Sequence, residues 1–117
     1  MSLLGFLLFV ASASAAGPFD GQWQGTTGRG FYTDERVCFT GDVHVTVAAG
    51  RLQGKVIGSA YDFGTLSLAG EVAPDGTVTG TTNFAEKFAG TFTGDKFAGT
   101  LQSKSCGTLS VTLERRN

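Results

Sequence analysis

Few residues in this 117-residue chain could do chemistry, and their types and spacing argue against catalysis. His44 is the single histidine, so any Ser-His-Asp or Cys-His set would have to use it. The alternation Val43-His44-Val45-Thr46-Val47 puts His44 and Thr46 on the face opposite the valines, which reads as a solvent-facing histidine in mid-strand. Asp34, Glu35 and Asp62 could supply a carboxylate pair for glycoside-type acid–base work. All three sit in loop sequence, where carboxylates are ordinarily just solvated. Gly28-Arg29-Gly30 opens no helix and is no phosphate cradle. Cys38, Cys106 and His44 lack the spacing of metal ligands. These groups imply no catalytic residue, no metal and no cofactor, so the chain reads as a protein that is not an enzyme.

The stretch Arg29-Gly30-Phe31-Tyr32-Thr33-Asp34-Glu35-Arg36 is different in kind. Its eight residues carry two aromatics, two arginines and two acids. Tyr and Arg are enriched at binding hot spots. Phe31 and Tyr32 either fold over a barrel mouth as a plug or present a contact surface. With Tyr61 and Asp62 from a later loop, residues Arg29, Phe31, Tyr32, Asp34, Glu35 and Arg36 form the candidate binding set.

The elements that must position them are strands. Phe88-Ala-Gly-Thr-Phe92 is followed by Phe97-Ala-Gly-Thr-Leu101, one apolar-x-Gly-x-apolar unit written twice around Gly94-Asp95. In extended chain the first, third and fifth residues share a face, and the short link makes the pair a hairpin. The unit recurs at Phe19-Gly21-Trp23, Leu52-Gly54-Val56, Leu68-Gly70-Val72 and, less fully, Val78-Gly80-Thr82. A glycine between large apolar neighbours lets a strand bend, or lets a ring sit on bare backbone, and such kinks close curved sheets. Gly54, Gly70, Gly80, Gly90 and Gly99 on inward faces would draw strands close and leave Trp23, Phe88, Phe92 and Phe97 to fill the centre.

Alternation and turn residues place strands at Phe19 to Thr27, Val37 to Val47, Leu52 to Ile57, Phe63 to Val72, Thr77 to Phe84, the two arms of the hairpin, and Thr108 to Arg115, with a bulge near Gly64. No window has helical periodicity. The fold class is all-β, an eight-stranded antiparallel up-and-down barrel or half-barrel, with a two-sheet sandwich as the alternative. Short strands with outward Thr, Ser and Gln exclude an outer-membrane barrel.

In such a meander odd and even connections lie at opposite ends. Ala49-Gly50, Pro74-Asp75-Gly76 and Gly94-Asp95 are tight turns, whereas the connections at 28–36, 58–62, 85–87 and 102–107 are longer. One end is therefore trimmed and the other carries loops, where function tends to sit. Cys38 and Cys106 both start strands at the loop end, and an even cysteine count in an exported chain favours a disulfide.

Export itself is read from residues 1–16. Leu3 to Val10 is an apolar run, and Ala13-Ser14-Ala15 gives a small-x-small cleavage pattern, so 1–16 reads as a signal peptide and 17–117 as one domain. The expected place is periplasmic or secreted, with no stable membrane insertion after cleavage. Net charge is −1 and the nine basic residues are scattered, so no basic stripe serves nucleic acid.

Gly21-Gln22-Trp23 on the first strand resembles the G-x-W mark of calycin-type barrels, and the chain as a whole is similar to small exported bacterial β-barrel proteins. The resemblance implies a Trp23 that closes the barrel base under an arginine near the chain end, here Arg115. It adds protease or lysozyme inhibition and small-ligand carriage to the functions in view. The expected function is a non-catalytic binding or inhibitory module of the cell envelope whose partner is an envelope or extracellular protein. A small-ligand carrier or a structural envelope protein is the alternative.

Overall fold

The computed structural model describes residues 17–28, 41–58, 65–104 and 106–116. It is a closed barrel in which eight strands pair in chain order: β1 (Gly21–Thr27), β2 (Gly41–Ala48), β3 (Arg51–Gly58), β4 (Thr65–Val72), β5 (Thr77–Thr82), β6 (Lys87–Thr93), β7 (Lys96–Ser103) and β8 (Gly107–Arg116). Every neighbouring pair is antiparallel, and β8 returns to pair with β1 from Gln22↔Arg116 to Thr27↔Val111. The half-barrel and sandwich alternatives are thereby excluded, and no helix occurs among the described residues.

Alternation carries the fold. In β2 Gly41, Val43, Val45 and Val47 are buried and Asp42, His44, Thr46 and Ala48 exposed. The other strands repeat this, and their inward side chains form one core around Trp23, Phe88, Phe92, Phe97, Leu101 and Leu113. Ring centroids run without a break from Phe19 to Phe92 (5.5 Å), Phe92 to Phe97 (4.9 Å) and Phe97 to Phe88 (5.5 Å), with Trp23 4.4 Å from Phe92. An eight-stranded barrel is just wide enough for its own side chains to fill it, and these rings do so.

Apart from Gly54, which lies between Val45 and Leu68, the glycines expected on inward faces act in pairs. Gly70 lies opposite Gly80, and Gly90 opposite Gly99. A Cβ at Gly90 would stand 2.5 Å from the Ala98 carbonyl oxygen and 2.6 Å from the Gly99 Cα. The Phe97 ring lies over this bare backbone, near both glycines, and so packs between Phe88 and Phe92.

Two strand ends differ from the sequence reading. Phe19 precedes β1, half-buried against Phe92, because Asp20 turns the chain by accepting the Ala49 N–H on both carboxylate oxygens (3.1 Å each). β5 stops at Thr82, before Phe84, because Asn83 to Glu86 form a tight turn in which Ala85 takes a left-handed φ of 62°. The expected bulge at Gly64 and the start of the second strand at Val37 lie outside the described residues.

Candidate functional site

The barrel has unlike ends. At the base are the three tight turns, and there the Trp23 indole N–H donates to the Phe19 carbonyl (3.0 Å). The Arg115 guanidinium lies 4.5 Å over the Trp23 ring, as the sequence suggests. It donates to the carbonyls of Asp20 (2.6 Å) and Pro18 (2.9 Å) and pairs with the Asp95 carboxylate (2.9 Å). One side chain thus ties the last strand to the start of the domain and seals the core. Charged groups on this side are mostly exposed. The Thr77 backbone N–H, donating to Asp75 (3.0 Å), is the main cause that holds the Asp75 carboxyl below its usual range. Lys96 and Glu114 pair at 2.8 Å, and their hydrogen bond raises the lysine and lowers the glutamate.

The loop end holds the candidate site. The sequence-derived binding set, Arg29, Phe31, Tyr32, Asp34, Glu35, Arg36, Tyr61 and Asp62, lies outside the described residues, as does Cys38. Cys106 is described: it is buried at 4% exposure, is not a free thiol, and its N–H donates to the Ser103 hydroxyl (3.1 Å).

Among the described parts of this rim is the β5–β6 hairpin, and its tip is tightly fixed. The Thr82 hydroxyl accepts the N–H groups of Phe84 (3.1 Å) and Glu86 (3.3 Å) and donates to a Glu86 carboxylate oxygen (3.2 Å). The other Glu86 oxygen accepts the Lys104 N–H (3.0 Å), and the Lys104 ammonium donates to the Phe84 carbonyl (3.2 Å). Asn83 exchanges two bonds with the Ser67 backbone, through its own N–H (3.1 Å) and its side-chain oxygen (3.0 Å). A carboxylate is costly to bury unless hydrogen-bonded; Glu86, 9% exposed, holds its place by bridging two connections.

The product of this bonding is Phe84, its backbone held at both N–H and carbonyl with 56% of its surface exposed. Ile57, 44% exposed, sits opposite Thr65 at the adjoining β3–β4 edge, two residues from the Ser67 that binds Asn83. The two large apolar residues exposed among those described therefore share one sector of the loop end. Phase reasoning misses Phe84, since two residues past inward Thr82 a continuing strand would have buried it. The turn-forming Asn83 was the available signal.

His44 is exposed on β2 between Gln24 and Lys55, as its phase implies. No cluster of three metal-ligating side chains occurs among the described residues.

No family model and no curated protein matches the chain. Among solved structures it is similar to a redesigned β-barrel, b11L5F_LGL, at 24% identity and a TM-score of 0.51, over 86% of this chain and 93% of that one. It is also similar to a surface lipoprotein at 13% identity and a TM-score of 0.52. That match covers 82% of this chain and 60% of the lipoprotein, so this chain spans less than two thirds of it. Both likenesses are of fold alone; in this chain that fold is an antiparallel β-barrel closed on itself.

Proposed function

We propose that the protein is a non-catalytic binding or inhibitory module of the cell envelope, exported to the periplasm or beyond, which meets an envelope or extracellular protein at its loop end. The observation that carries this is the Phe84 hairpin, where a buried carboxylate and a lysine fix the backbone that presents an exposed ring at the rim. Preorganised apolar groups bind at lower entropic cost. The packed rings along the axis favour contact at the rim over carriage of a small ligand inside. The sequence adds Arg29, Phe31, Tyr32, Asp34, Glu35, Arg36, Tyr61 and Asp62 to the same end, and a Cys38–Cys106 bridge would fix the base of the first loop. The fold is one that a surface lipoprotein also carries.

The test is capture of envelope proteins on the immobilised oxidised domain. Tyr32→Ala and Arg36→Ala should each weaken capture of a given partner by about 1–2 kcal/mol or more, the scale of interface hot spots. Asp75→Ala and Asp95→Ala, at the base, should leave it unchanged. Binding that follows the base substitutions instead would overturn the reading.

A further inference from the structure

The loop end presents a ring, and the base presents a place for one. Beside the sealed core, the base carries an open groove of about 310 Å³ lined mainly by Phe19, Asp20, Val47, Val72, Ala73 and Pro74. Phe19 and Val72 are half-buried there, between walls that carry Pro18 and Pro74, while Val47 lies behind them in the core. The volume is at the lower end of that of ligand pockets, which run from about 300 Å³, enough for one aromatic side chain and little more.

We propose that the loop-end surface also takes a second copy of this chain as its partner, the Phe84 ring of one copy seating in the Phe19–Val72–Pro74 groove of the next, head to tail. Shape supports it, since Phe84 projects from a hydrogen-bonded backbone and the groove is concave and apolar. Charge supports it too. Lys104, exposed, donates to the Phe84 carbonyl, Lys87 is exposed three residues further along the chain, and Asp20 is the one charged residue lining the groove. Plug and socket lie at opposite ends of the barrel, so the contact is heterologous, and such contacts propagate as open chains unless the rotation closes a ring. One buried aromatic covers about 150–250 Å², well below the area of a stable interface, roughly 1,200 Å² or more. Association is therefore weak and concentration-dependent, a property useful only where the protein is crowded.

The inference rests on reading the loop end as a contact surface, and the two fail separately: self-association is read on the purified chain alone, and envelope capture on the immobilised domain. Sedimentation velocity of the purified protein should show mass rising with concentration towards about 1 mM, the dissociation range of contacts this small. Phe84→Ala, at an exposed position, should remove the rise. So should Ala73→Lys, which fills the groove with a cation facing Lys87 and Lys104. Ala73 is exposed, and its turn bonds to Thr77 and Gly76 are made by the backbone, so the fold is kept. The decisive arm mixes the two variants in equal amounts. One brings an intact ring and the other an intact groove, so the mixture should form a one-to-one dimer and nothing longer. A wild type that stays monomeric, as it would if the chain preceding Gly17 covered the groove, overturns the proposal. So does Phe84→Ala that associates like the wild type, or a mixture that stays monomeric.

Discussion

Replacing Gly90 by alanine tests whether the paired glycines set the barrel's shape. The added Cβ would meet three groups at once: the Ala98 carbonyl oxygen and the Phe97 ring edge, each at 2.5 Å, and the Gly99 Cα at 2.6 Å. Two of these are backbone of the partner strand. The third belongs to a ring already packed between Phe88 and Phe92, so it has no room to withdraw. Strands β6 and β7 must separate, which opens a close approach of the wall. Overpacking of this kind costs about 1–3 kcal/mol, while the stiffer unfolded chain of an alanine variant offsets about 0.4–1 kcal/mol. The expected net loss is about 1–2 kcal/mol. At roughly 4–8 °C per kcal/mol for a domain of this size, the midpoint should fall by about 5–15 °C. Thermal unfolding followed by circular dichroism measures it. Gly17→Ala is the control, because its Cβ meets only the Asp20 carboxylate at an ordinary 3.5 Å. If Gly90→Ala melts with the wild type, or no lower than Gly17→Ala, the glycines are not needed for close approach and the account of closure is wrong.

Arg115→Met keeps much of the side chain's length but loses the bonds to the Pro18 and Asp20 carbonyls and the contact with Trp23. It should cost about 1–3 kcal/mol and shift emission of Trp23, the one tryptophan, to longer wavelength as water reaches the base. Asp95→Ala removes only a partner 81% exposed and should cost less than about 1 kcal/mol; equal losses in the two variants would refute the seal. Mass spectrometry without reductant should find the Cys38 and Cys106 peptides linked, a bridge worth about 4 kcal/mol by chain entropy; two free thiols would refute it.

Most of the fold was legible because a barrel wall alternates. Val43, Val45 and Val47 against His44 and Thr46 fix both the strand and its inner face, and the tight turns at Ala49-Gly50 and Gly94-Asp95 fix the order of pairing. The repeated glycines announce close approach, although sequence alone left open whether the sheet closes. That depends on β8 finding β1, a pairing between the two ends of the chain which no local pattern encodes. The rim was less legible for a related reason. Loops have no period, and the place of Phe84 is set by bonds from Thr82, Glu86 and Lys104, which come from two different connections. Neither Phe84 nor Glu86 entered the sequence-derived set, which was chosen by composition and lies outside the described residues.

The seam between first and last strands is the costliest join in the barrel, since the groups it brings together are separated by nearly the whole chain. At the base Arg115 secures it, reaching residues 95 and 97 positions away. Along the wall it is held by the β1–β8 register from Gln22 to Thr27. Near the loop end Gly28 still donates to the Ser110 carbonyl (2.7 Å). Closure therefore does not depend on the β5–β6 tip, whose bonds hold Phe84 but touch neither β1 nor β8. A rim built this way can change its exposed residues without opening the barrel. That separation is what makes Phe84→Ala a clean probe of contact: the substitution removes a ring the fold does not use, and any change in association it causes belongs to the surface.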